Sequence, residues 1–317
     1  MDLSPAQRGR VHAATEFARS RLSPGARRRE AAGAVDRRLW VEAAAFGLAG
    51  LPIPEAFGGT GLDAYDTMLV VEALGRGCED GGLVFSLCAH MFAGAVAIWR
   101  SGAAHIHEKY LREVAEGRLI CAGAATEPGA GSDVHAMKAS ARRAGSDYVL
   151  DGAKCFVTNA PVADLLLVCA VTGPGRGLLG LSAFLLPRGA PGLRVAPKGE
   201  KAGLRTSPWG TVYLEECRVP ESARLGPEGS GAALFRESMN WERSCLFAYY
   251  VGAMERSLER CVEHARSRLD AVQLFGGAGV ATDTGVDALL RDAVPASVFS
   301  GTSEVQRAVI ARMLGLP

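Results

Sequence analysis

The period of the apolar residues changes twice along the 317 residues of this chain, which limits the fold more than any single motif does. Up to about residue 118 the spacing is helical. Leu39, Ala43 and Phe46 recur at three to four residues, and in residues 63–75 Met68, Val71 and Leu74 share one side. Residues 81–99 are apolar all round and almost free of charge, the pattern of a buried helix. From residue 119 short β-type runs take over, at 119–125, 148–150, 155–157, 165–171, 181–186, 193–196 and 211–214, separated by Gly, Pro, Asn or Asp. Helical spacing returns after a turn at 226–231, through Met239, Arg243, Leu246, Tyr250, Met254, Leu258 and Cys261, and predicts one continuous helix to about residue 268. A glycine cluster at 273–279 and a last helical segment at 303–314 complete the chain. The expected class is α+β multidomain: an N-terminal α-helical domain (1–118), a middle antiparallel β-sheet or β-barrel (119–225) and a C-terminal helical domain (226–317).

Composition narrows the function. The net charge is +1 without a basic stripe, which argues against nucleic acid. The eight cysteines form no C-x-x-C pair and mostly sit in apolar runs, so they read as reduced core residues of a cytoplasmic protein. No cluster of Cys and His has metal-ligand spacing, so no metal is expected. Residues 1–29 are rich in Arg and lack an apolar core, and no stretch reads as a membrane span.

Four segments carry chemistry. Residues 126–133 (TEPGAGSD) follow a strand-like run with two glycines, a loop that brings backbone N–H groups and hydroxyls close to a flat or anionic ligand. Residues 155–159 (CFVTN) end another strand with Phe156 and Thr158; alone, the first segment reads as an ordinary Gly-rich turn and the second as an ordinary strand. Glu242, before Arg243, borders an apolar helical stripe, where a carboxylate is exposed, paired in a structural ion pair, or functional. Residues 300–306 (SGTSEVQ) fit a helix-capping box.

The ordered set is far more specific than its parts. TEPGAGSD, K-x-F-V-T-N, G-L-R-T-S-P (203–208), R-V-P (218–220), Q-x-F-G-G-x-G, R-D-A (291–293) and G-T-S-E-V-Q-R (301–307) follow in that order. This resembles the acyl-CoA dehydrogenase family over nearly the whole chain, and within it the branch found with polyketide and nonribosomal peptide pathways, which includes prolyl-carrier-protein dehydrogenases. The resemblance implies a helical domain, a middle barrel and a C-terminal helical bundle, with FAD as cofactor. It implies that Thr126 and Thr158 hydrogen-bond the flavin ring and that Phe156 packs on it where tryptophan is more usual. Thr302 and Glu304 fall where the family touches the FAD diphosphate. Arg268, Gln273, Gly276 and Gly277 fall where it binds the adenosine half, usually across a subunit interface. Ser132 belongs to the loop that meets the pantetheine or phosphate part of the thioester.

The implied reaction is α,β-dehydrogenation of an acyl thioester, on CoA or on an acyl-carrier protein, with an electron acceptor left open. The family stabilises the thioester oxygen through the backbone N–H at Ser300. Many members carry their glutamate base at that same position, where serine cannot serve. A minority place the base on the first long C-terminal helix before an arginine, which assigns Glu242 as the α-proton base and gives Arg243 a part in holding substrate or carboxylate.

The chain departs from the family after residue 268. About two helices are missing, so the resemblance implies a shortened C-terminal helical bundle whose apolar face is covered otherwise, most simply in a homodimer or larger assembly. Two other readings stay open: a catalytically impaired member acting as a scaffold, and a flavoprotein oxidase with altered chemistry.

Overall fold

The computed structural model describes residues 3–33, 35–266 and 305. Helices fill the N-terminal part: α1 (Pro5–Phe17), α2 (Ala26–Ala32), α3 (Arg37–Ala45), α4 (Ala64–Gly77), α5 (Gly81–His90), α6 (Val96–Ser101), α7 (Ala104–Ile106) and α8 (Arg112–Ala115). Their starts are chemically marked. Ser4 and Gln7 form a capping box ahead of Pro5, and Asp36, Asp63 and Asp80 each accept a backbone N–H of the helix they precede.

A π-helical stretch, Met91–Ala95, joins α5 to α6, so Gly81–Ser101 runs as one helix of 21 residues. By length and composition it could cross a membrane, but 83% of its most apolar window is buried inside the protein. It is the spine on which the other parts pack. At Gly94 an added Cβ would stand 2.2 Å from Cys121 Cβ, so only glycine lets the first strand approach this closely.

The strands are β1 (Cys121–Ala124), β2 (Ser140–Ala144), β3 (Asp147–Thr158), β4 (Leu165–Val171), β5 (Leu181–Pro187), β6 (Leu193–Val195), β7 (Trp209–Pro220) and β8 (Arg224–Leu225). They form one sheet in the order β6-β7-β3-β2-β4-β5-β8, with β1 paired to β4. The expected closed antiparallel barrel is therefore corrected to an open, mixed sheet. The edge strands β6 and β8, of three and two residues, do not pair with each other. The β2–β3 hairpin separates β1 from β4 in sequence, which gives the chain length enough to return parallel, and β1 does pair parallel with β4.

The expected single helix after residue 231 is divided. Helix α9 (Gly231–Trp241) passes through a π-helical turn, Glu242–Leu246, into α10 (Ala248–Arg266). Helix α10 packs tightly on α4: a Cβ at Gly252 would lie 1.9 Å from the Glu72 carbonyl oxygen. The buried Arg256 guanidinium donates to the carbonyls of Gly75 and Cys78, covering the C-terminal end of α4. On α10, Val251, Met254, Leu258 and Val262 stand 43%, 62%, 65% and 40% exposed. The expected site residues Arg268, Gln273, Gly276, Gly277, Ser300, Thr302 and Glu304 lie outside the described residues.

Candidate active site

The most unusual backbone in the sheet is at the end of β3. Its register against β7 shifts between Lys154 and Val157, and within that bulge Phe156 takes a φ of 57°. A bulky residue in the left-handed region is rare, and bulges of this kind re-aim a side chain. Here the result is a ring 62% exposed to solvent and stacked on Trp209, with centroids 4.8 Å apart and planes at 29°. Strain that holds an apolar ring out in the open points to a ligand face. Just past the strand end stands Asn159, φ 66°, whose buried Nδ2 donates to the Ser86 carbonyl at 2.9 Å and so ties β3 to α5.

The loop after β1 is fastened to the same strand. Cys155 N donates to the Thr126 carbonyl at 2.9 Å. The fully buried Lys154 Nζ donates to the Ala125 carbonyl at 3.1 Å and to Glu127 Oε1 at 2.7 Å. The Glu127 carboxylate also accepts from the backbone N–H of Lys138 (2.7 Å) and Ala139 (3.0 Å), which closes the loop on itself. Burial opposes ionisation of Glu127, but the Lys154 ammonium and these two amides outweigh it and hold the carboxyl below its usual value.

Thr126, Phe156 and Thr158 are thus brought to one end of the sheet. The two threonine hydroxyls are half-buried and make no hydrogen bond among the described residues. At Gly129 and Gly131 an added Cβ would meet nothing within 4 Å, so packing does not demand glycine there. Ser132 is exposed on the same loop. An open aromatic face, two hydroxyls without a partner among the described residues and an uncrowded backbone fit a flat, hydrogen-bonding ring with a polar tail, which is the chemistry of a flavin.

Glu242 is the first residue of the π-helical turn, a feature common at functional sites. It is buried, at 9% exposure, and follows Trp241, whose ring stacks 6.2 Å from Phe92. Burial first, then the Cys245 thiol and the Glu242 carboxylate, push the Cys88 thiol above its usual range. The Glu242–Leu246 turn packs against α5, the helix whose Ser86 carbonyl anchors β3. Arg243 is half-buried in the same turn. The spine helix is common to both halves of the candidate site.

A cavity of about 120 Å³ adjoins the Asn159–Ser86 junction, lined by Trp40, Leu83, Ser86, Ile120, Asn159 and Thr206 among others. None of the expected catalytic or cofactor-binding residues among the described residues lines it. Three contributors escaped sequence reasoning: the Lys154–Glu127 pair, Trp209 behind Phe156, and the π-helical turn at Glu242. A lysine inside an apolar strand was a usable signal for the first; the other two leave none in the residue pattern.

Comparisons with known proteins bear on the family and the fold. Models of the acyl-CoA dehydrogenase N-terminal, middle and C-terminal domains match residues 4–118, 122–217 and 269–315. A curated L-prolyl-[peptidyl-carrier protein] dehydrogenase of Serratia sp. (strain ATCC 39006) is 36% identical over 378 aligned positions, covering 99% of this chain and 98% of the relative. Those 378 positions exceed the 317 residues present, so the relative carries sequence without counterpart here. The solved structure of PigA with FAD and proline superposes with a TM-score of 0.95 at 36% identity, covering 100% of this chain and 99% of the other. The crystal structure of the prolyl acyl carrier protein oxidase AnaB gives 0.94 at 32% identity, covering 99% and 100%. This chain belongs to the acyl-CoA dehydrogenase family, with a C-terminal domain match confined to 269–315.

Proposed function

We propose that this protein is an FAD-dependent oxidoreductase that desaturates an acyl thioester between Cα and Cβ, with the acyl group carried on a carrier protein. The observation that carries the reading is the strained, exposed Phe156 on the same end of the sheet as Thr126 and Thr158, whose hydroxyls make no hydrogen bond among the described residues. The carrier-protein substrate rests on relatives named for a prolyl group on such a carrier. A prolyl thioester is therefore the first substrate to test, and an acyl-CoA the second.

In this reading Phe156 packs on the flavin ring and the Thr126 and Thr158 hydroxyls bond its polar edge. FAD, when bound, supplies the acceptor for the hydride that leaves Cβ. Glu242 removes the α-proton, and the carbon–carbon double bond forms from the electron pair left behind. The backbone N–H of Ser300 bonds the thioester oxygen as charge develops on it. Arg243 holds the carboxylate or the substrate, and Ser132 meets the pantetheine arm. Thr302 and Glu304 take the diphosphate; Arg268, Gln273, Gly276 and Gly277 take the adenosine half.

The same reading divides the chain at 1–118, 119–225 and 226–317, places it in the cytoplasm, and makes it a homodimer or larger. Reconstitution with excess FAD tests the cofactor. The expected result is a flavin absorption spectrum that stays with the protein on gel filtration and a raised melting temperature, as linkage requires of a native-state ligand. The absence of both changes would defeat the assignment.

A further inference from the structure

Phe156 does not stand alone at the ligand face. Trp209 lies directly across from Thr158 in the β3–β7 register and stacks on the Phe156 ring at 4.8 Å. The indole is fitted into the fold on its other sides. Gly199 N donates to the Trp209 carbonyl at 3.0 Å, and a Cβ at residue 199 would stand 2.6 Å from Trp209 Nε1. Only glycine leaves room for the indole there, since a ring system is rigid and its neighbour is backbone. Lys201 Nζ lies 5.8 Å from the centroids of both the Trp209 and the Phe85 rings, within cation–π range.

A single exposed phenylalanine changes rotamer freely on the surface, and a mobile ring makes a poor wall for a ligand. Stacking against an indole that is itself held removes that freedom before the ligand arrives. We propose that Trp209 is a positioning residue for the cofactor: it fixes the Phe156 ring as one flat wall of the flavin site, so that two rings do what one larger aromatic would do. This rests on the FAD reading above.

The test uses the full chain and three variants. Trp209→Leu weakens FAD binding by about two- to tenfold and alters the shape of the bound flavin absorption band, while the melting temperature of the cofactor-free protein reports on folding separately. Trp209→Phe, which keeps a stacking ring, restores most of the affinity and the band shape. Gly199→Ala displaces the indole without removing any ring and reproduces the Trp209→Leu spectrum. Unchanged affinity and band shape in Trp209→Leu and Gly199→Ala, with wild-type protein binding FAD normally, overturns the positioning role and leaves the cofactor reading intact. A wild-type protein that takes up no FAD overturns both.

Discussion

Lys154 Nζ lies 2.7 Å from Glu127 Oε1, with the two side chains only 0% and 6% exposed. The pair closes the 126–133 loop onto β3, so an interaction made for stability also sets where Thr126 stands relative to Phe156.

Lys154→Met should therefore do two things. It leaves a buried carboxylate without its cation, which costs about 3–5 kcal/mol when one partner of such a pair is removed. It also frees the loop, so FAD affinity falls with stability. Urea denaturation and FAD titration measure the two effects, and adding Glu127→Leu to Lys154→Met should recover part of the stability. Because Glu127 is held below its ordinary value of 4.5 when folded, its contribution is complete above that pH and is lost as the pH drops through the lower, folded value.

His90 gives a second acid-sensitive element, in a higher pH range. Cys121 N donates to its Nδ1 at 2.9 Å, which leaves Nε2 to donate to the Val114 carbonyl at 3.0 Å. Burial pushes its pKa from 6.5 down to about 4. The unfolded chain thus takes up a proton near pH 6.5 that the folded chain refuses until about pH 4. Stability should fall across that interval as the pH drops, by up to about 1.4 kcal/mol per unit. Urea titrations at several pH values should show that slope, and His90→Gln should flatten it.

Much of this was legible beforehand, and the misses have physical causes. The period changes near residues 119 and 226 separate the helical and strand regions, and the run at 165–171 coincides with β4. Strand β2, Ser140–Ala144, escaped notice because SARRA carries two exposed arginines, and its pairing with β3 and β4 rather than its own pattern makes it a strand. Residues 148–150 and 155–157 read as two strands, whereas Gly152 (φ 140°) and the bulge at Phe156 bend a single β3 without ending it. Sheet closure was misjudged because alternation reports which face is buried, not whether the edges meet. For the proposed site, motif order alone singled out Thr126, Phe156, Thr158 and Glu242. The stacking of Trp209 was not, since it depends on β3–β7 register and on the space left by Gly199.

Helix α10 carries the prediction about assembly. Val251, Met254, Leu258 and Val262 form an apolar stripe at helical spacing, and a stripe of that size is uncommon on a soluble monomer. Light scattering across a dilution series should give a dimer or larger at micromolar concentration. Met254→Lys combined with Leu258→Lys should shift it towards monomer. A well-behaved wild-type monomer with little hydrophobic-dye binding would contradict the proposed assembly.

The most direct test of the dehydrogenase reading is anaerobic mixing of FAD-reconstituted protein with a prolyl thioester on its carrier protein, followed by flavin absorbance. The wild type should bleach as substrate reduces it. Glu242→Gln should retain FAD and fold but bleach slower by several orders of magnitude, as expected when the general base is removed. Ser300→Ala should bleach at close to the wild-type rate, because only its backbone N–H is used. Near-normal bleaching in Glu242→Gln would contradict the base assignment, and a wild type that holds FAD yet bleaches with neither the prolyl thioester nor an acyl-CoA would contradict the dehydrogenase reading itself.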